Sequence, residues 1–144
     1  MRHLIVVTIA IITAGGMHAQ QVEKNCTIGG TWTSQSKKKG NSNWKVKLVW
    51  NNGEGNSAYG FSIKSNAAHK DAFGIFTVDG SCSEGFCDFH QNYTSGKFKG
   101  RYYSYRAGYS ELKPFNLSGD YGLVEGEQQV KEGKFTLNKL TCNK

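Results

Sequence analysis

Trp44-Lys45-Val46-Lys47-Leu48-Val49-Trp50 puts Trp44, Val46, Leu48 and Trp50 at every second position, with Lys45 and Lys47 between them. In an extended chain successive side chains point to opposite faces. This stretch therefore reads as a strand with one apolar face and one basic face. A helix would scatter the same residues around its axis. Asn51-Asn52-Gly53-Glu54-Gly55 follows, and Asn and Gly accept the positive φ of a hairpin turn. Ser57 to Lys64 resumes the alternation, with Tyr59, Phe61 and Ile63 on one face.

The same period runs through the rest of the chain. Phe73 to Val78 is a denser apolar run ending at Asp79-Gly80, which reads as a second turn pair. Phe86 to Tyr93 and Lys97 to Tyr109 continue as strands. Phe115, Leu117, Gly119, Tyr121 and Leu123 alternate, and Phe135 and Leu137 close the pattern. A first short strand is expected around Gly30-Thr31-Trp32. Helical periodicity is nearly absent, and Pro114 is the one proline. The fold class expected is all-β: an antiparallel meander of roughly eight strands. A closed β-barrel is favoured over a sandwich, because closure removes unpaired edges. The expected core is Trp32, Trp44, Val46, Leu48, Trp50, Phe61, Ile63, Leu117 and Leu137.

The chain opens with a basic Met1-Arg2-His3, an apolar run from Leu4 to Ala14, and a small-residue end at Gly15-Gly16-Met17-His18-Ala19. This is the pattern of a signal peptide over residues 1–19, with cleavage after Ala19 or, alternatively, after Gly16. The apolar run is shorter than the roughly 20 residues a membrane helix needs. Residues 20–144 then form one barrel domain, secreted or, in a bacterium, periplasmic. Loss of Arg2 would lower the net charge from +7 to +6. That balance either attracts anionic partners or simply keeps the protein soluble.

Cys26, Cys82, Cys87 and Cys142 all follow the leader. An even count in an exported chain implies two disulfides. Paired Cys-x-x-Cys units, which would point to zinc, are missing. Cys82 and Cys87 flank the turn-like Ser83-Glu84-Gly85-Phe86, which brings them together and leaves Cys26 for Cys142. In a closed barrel the first and last strands are neighbours, so that second pairing is reachable.

Cys26-Thr27-Ile28-Gly29-Gly30-Thr31-Trp32-Thr33 resembles the first strand of calycin-type barrels, the avidins and lipocalins, through Ile28, Gly30 and Trp32. The cysteine before this strand resembles the avidin pattern. Phe98-Lys99-Gly100-Arg101-Tyr102 and Leu117-Ser118-Gly119-Asp120-Tyr121 resemble avidin-like strands. The resemblance implies a barrel. It does not imply biotin binding, because Ser34-Gln35-Ser36-Lys37-Lys38-Lys39 stands where avidins carry an Asn-x-x-Gly-Ser segment.

Chemistry-bearing motifs are few. His69 and His90 are the histidines beyond the leader, with no third ligand spaced to make a metal site. Asp88 and His90 share a strand face, yet no Gly-x-Ser-x-Gly accompanies them and the cysteines are expected to be oxidised. No enzyme activity, metal or cofactor is therefore expected. Lys37-Lys38-Lys39 is either a phosphate- or sulfate-binding loop or a solvated charge run. Arg101, Tyr102, Tyr103, Tyr105, Arg106 and Tyr109 are the candidate binding residues, since tyrosine gives rigid amphipathic contact area and arginine stacks on rings. No nucleic-acid motif accompanies them. Asn25, Asn92 and Asn116 begin N-glycosylation tripeptides, which matter in a eukaryote. Two functions remain open: a barrel binding a small apolar or amphipathic ligand, or a secreted inhibitor, toxin or host-directed effector meeting an extracellular protein or glycan through a basic, tyrosine-rich surface.

Overall fold

The structure, a computed structural model, describes residues 23–51 and 60–143. The leader, most of the Asn51–Gly55 turn and the first part of the Ser57–Lys64 strand lie outside the described residues. Nine strands follow in chain order: β1 Glu23–Ser34, β2 Lys39–Trp50, β3 Phe61–Ser65, β4 His69–Asp71, β5 Gly74–Ser83, β6 Phe86–Ser95, β7 Tyr102–Gly108, β8 Leu117–Glu125 and β9 Gln128–Cys142. Neighbours pair antiparallel in the order β3-β2-β1-β9-β8-β7-β6-β5-β4, and a β3–β5 pairing closes the ring. The result is an eight-stranded closed barrel, with the short β4 added beside β5. No described helix is long and apolar enough to cross a membrane.

β2 shows how the sequence drives this. Ser42, Trp44, Val46, Leu48 and Trp50 point inward, while Asn43, Lys45 and Lys47 face solvent. A one-residue slip would turn the whole apolar face outward, so the register is fixed by burial. Of the expected core, every residue is buried except Trp32, which is half-buried at the rim.

Both disulfides form as expected. Cys26 and Cys142 are register partners across the β1–β9 seam, and Cys82 and Cys87 are partners at the end of the β5–β6 hairpin. In the chain-entropy picture the 116-residue separation of the first pair corresponds to about 4–5 kcal/mol, and the short second loop to about 2 kcal/mol. Glu84 and Gly85 form the two-residue turn, with φ of 51° and 85°. Positive φ at both positions matches the right-handed twist of the flanking strands.

Two expected elements differ. Asp79-Gly80 is not a turn; both residues lie inside β5, which runs on to Ser83. Gly80 is there because β5 and β6 approach closely: a Cβ would overlap the Asp88 carbonyl, and its φ is +141°. The Lys97–Tyr109 segment is not one strand. Residues 96–101 form a turn, closed by Lys99 N–H to Gly96 O (3.1 Å) and Arg101 N–H to Phe98 O (2.9 Å), so β7 begins only at Tyr102. The first and last strands are also much longer than their short motifs imply.

Candidate functional site

The barrel has two unlike ends. At one, Leu48, Phe61, Phe89, Leu117 and Leu137 are fully enclosed and fill the bore. Phe61 stacks on Phe89 (6.1 Å, 22°), and Leu112 lies buried among them. At the other end lie the β1–β2 turn, the β4–β5 turn, residues 96–101 and the β8–β9 turn. That end is open onto a cavity of ≈ 370 Å³. This size falls within the ~300–1,000 Å³ range of small-molecule sites.

The cavity walls are aromatic. Trp44 meets Tyr105 edge-on (5.2 Å, 79°), and Tyr105 stacks on Tyr121 (5.3 Å, 17°). Tyr121 meets the half-buried Trp32 (6.1 Å, 73°). Across the mouth Phe73 stacks face to face on Phe98 (4.4 Å, 8°), and Phe98 sits edge-on to Tyr93 (5.5 Å, 81°). Such walls suit an apolar or planar guest.

A hydrogen-bonded chain threads these rings from depth to rim. Tyr105 OH donates to Gln91 Oε1 (2.8 Å), Gln91 Nε2 donates to Tyr93 OH (3.3 Å), and Tyr93 OH donates to Asp71 Oδ2 (2.6 Å). Asp71 Oδ1 in turn accepts the Phe73 and Gly74 N–H groups (2.8 and 3.2 Å), which sets the Phe73 ring at the mouth. Burial pushes the Tyr105 phenol far above its ordinary range, and burial together with Asp71 does the same to Tyr93. Tyr121 is pushed up to about 12, by burial first and then by the Glu132 charge. These phenols are donors at any physiological pH. His69, also lining the mouth, is held below its usual value by burial and then by Lys45. Its Nε2 accepts the Lys45 N–H (2.7 Å).

Strand alternation divides the expected binding stretch between inside and outside. Tyr103 and Tyr105 point inward and line the cavity. Arg101 stands at the rim, its guanidinium 3.9 Å above the Phe98 ring and Nη1 3.1 Å from the Tyr103 hydroxyl, which accepts. Tyr102 and Arg106 face outward. Tyr102 stacks on His90 (5.1 Å, 17°), and Arg106 Nε lies 3.5 Å from Asp88 Oδ2. Tyr109 lies at the filled end, its N–H bonded to Gly85 O (2.8 Å). Trp44, Phe76, Gln91, Tyr93, Phe98 and Tyr121 join the site without having been singled out for it. Gln91 carried the usable signal: it is the polar residue in the inward register of Cys87, Phe89 and Tyr93.

His90 does meet Asp88 (Nε2 to Oδ1, 3.1 Å) and also Asp79 (Nδ1 to Oδ1, 3.4 Å), on the outer face. Ser104, its register partner, is fully buried with Oγ taken by Gln129 Nε2 (2.8 Å), so its hydroxyl is closed to a substrate. Among the described residues no group of three His, Cys, Asp or Glu side chains is placed to hold a metal ion. Asn25, Asn92 and Asn116 are all exposed.

Compared with known proteins, the chain matches no family model, no curated protein and no solved structure. The geometry alone therefore defines its class: a disulfide-closed, eight-stranded antiparallel barrel, filled at one end and hollow at the other, compatible with a calycin-like barrel.

Proposed function

We propose that this is a secreted, non-catalytic binding protein that holds a small apolar or amphipathic molecule in the open end of its barrel. The observation that carries this reading is the ≈ 370 Å³ aromatic cavity with an internal hydrogen-bond chain. A barrel that only needed stability would fill both ends alike, since empty apolar space costs free energy. The leader over residues 1–19 and the two disulfides support export to an oxidising compartment. Use of the exposed Asn25, Asn92 and Asn116 sequons, if the source is eukaryotic, belongs to the same reading.

The second reading places recognition on the outside. Tyr102, 38% exposed and stacked on His90, sits beside Arg106 and offers contact area to an extracellular protein or glycan, as an inhibitor or effector would.

One scan separates the two. Alanine at Tyr103 or Tyr105 should abolish uptake of a neutral fluorophore such as N-phenyl-1-naphthylamine, while alanine at Tyr102, Arg106 or Tyr109 leaves it intact. Thermal melting of each variant identifies those that merely unfold. Uptake unchanged by every inward substitution that still folds would reject the cavity reading.

A further inference from the structure

We infer that the cavity ligand is an organic anion, its apolar body in the barrel and its acidic group at the rim. This rests on the cavity reading above and adds the charge of the guest. The sequence run Lys37-Lys38-Lys39 is placed at the mouth by the β1–β2 turn: Ser34 N–H to Lys38 O (2.7 Å), Lys38 N–H to Ser34 Oγ (3.0 Å) and Gln35 N–H to Glu132 O (2.8 Å) hold it in place. Lys38 and Lys70 line the cavity, and Arg101 stands at its edge over Phe98. The 96–101 turn adds Lys97 and Lys99 at the same end.

Place in the fold is what gives this charge meaning, and among the described residues no ion pair ties it up. Among the described residues, ion pairs occupy Lys47, Lys131, Lys134 and Arg106, and none occupies Lys38, Lys70 or Arg101. Asp71, the acid nearest Lys70 in sequence, has both oxygens engaged by Tyr93 OH and two backbone N–H groups. The Asp71 and Glu132 carboxylates are the two acids of the lining, balanced there by Lys38 and Lys70; the positive excess comes from Lys37, Lys39, Lys97, Lys99 and Arg101 around the rim, and the Glu132 charge reaches Arg101 and Tyr103. Glu125 and Glu127 flank the β8–β9 turn outside the lining. The rim thus offers unpaired ammonium groups beside an aromatic shaft, the arrangement that attracts a carboxylate, sulfonate or sulfate attached to a ring system.

Two fluorophores with one aromatic body test this. 8-Anilinonaphthalene-1-sulfonate carries an anionic group that N-phenyl-1-naphthylamine lacks. Both are titrated into the wild-type chain, a Lys38→Gln/Lys70→Gln variant, and a Lys64→Gln/Lys113→Gln control that loses the same charge at other exposed positions, each checked for folding by melting. The sulfonate should bind about tenfold more tightly than the neutral dye, the scale of two exposed charge-assisted contacts. That preference should vanish in the rim variant, persist in the control, and shrink in high salt. Equal affinities, or a preference that survives the rim substitutions or falls equally in the control, would overturn the inference while leaving the cavity reading in place. Binding of neither dye would overturn the cavity reading itself.

Discussion

Tyr105 donates its hydroxyl to Gln91 Oε1 across 2.8 Å inside the barrel, between a residue of β7 and one of β6 that is only 6% exposed. The pair ties the inner wall together and begins the polar chain that ends at Asp71. Gln91→Leu would strand the Tyr105 hydroxyl without its acceptor and remove a partner of Tyr93. An unsatisfied buried polar group costs about 1–3 kcal/mol, so urea unfolding should show a loss of that size. Tyr105→Phe leaves the more adaptable Gln91 amide behind and should cost about 1 kcal/mol.

Alkaline pH should unfold the protein early. The Tyr105 phenol is held far above its ordinary value by complete burial. In the unfolded chain it ionises near pH ~10. Between that pH and the folded value the unfolded state binds fewer protons, so stability falls as pH rises, by about 1.4 kcal/mol per unit for this group. Below pH ~10 its contribution is fully present. Absorbance at 295 nm and circular dichroism, followed from pH 8 to 12, should show tyrosine ionisation arriving together with loss of structure. Ionisation of every tyrosine near pH ~10 with the fold intact would contradict the buried placement.

The two disulfides should contribute unequally. Replacing Cys26 and Cys142 with alanine should cost about 4–5 kcal/mol, and replacing Cys82 and Cys87 about 2 kcal/mol. Urea midpoints of the two double variants check the order. In the same hairpin, Glu84 sits at φ 51°, a conformation that Asn or Gly adopts more readily. Glu84→Asn should therefore raise the melting temperature slightly.

Leu48→Asp and Lys47→Asp test the faces of β2. Leu48 is fully buried, so an aspartate there should unfold the domain. Lys47 is outward and paired with Glu23 at 3.7 Å on the surface, where losing it costs at most about 1 kcal/mol. Circular dichroism of the two variants shows the difference.

These faces were legible because β2 has both signals at once, apolar residues inward and lysines outward. The residue types at Asp79-Gly80 and Phe98-Lys99-Gly100-Arg101 misled for opposite reasons. Gly80 is required by the close approach of a neighbouring strand, which looks like a turn pair in sequence. Phe98 alternates correctly with its neighbours, yet Gly96 and Gly100, at φ 89° and 88°, bend the chain into a turn that carries the ring over the mouth. The tyrosines from Tyr102 to Tyr109 marked the right strand, but alternation put Tyr102 outside and Tyr109 packs at the filled end, leaving Tyr103 and Tyr105 in the cavity. Whether the bore was filled could not be read at all, because an inward register gives the direction of a side chain and not the space left between rings from opposite walls.

Filling that space tests the central claim most directly. Ser42 is inward-facing, buried and part of the cavity lining, next to Trp44 in the same register. Ser42→Trp should occupy the hollow end. Titration of N-phenyl-1-naphthylamine into both forms, with melting temperatures measured alongside, gives the answer. The wild-type chain should bind one dye per barrel and the folded variant none. A folded Ser42→Trp variant that binds the dye as well as wild type, or a wild-type chain that binds none, would contradict the account.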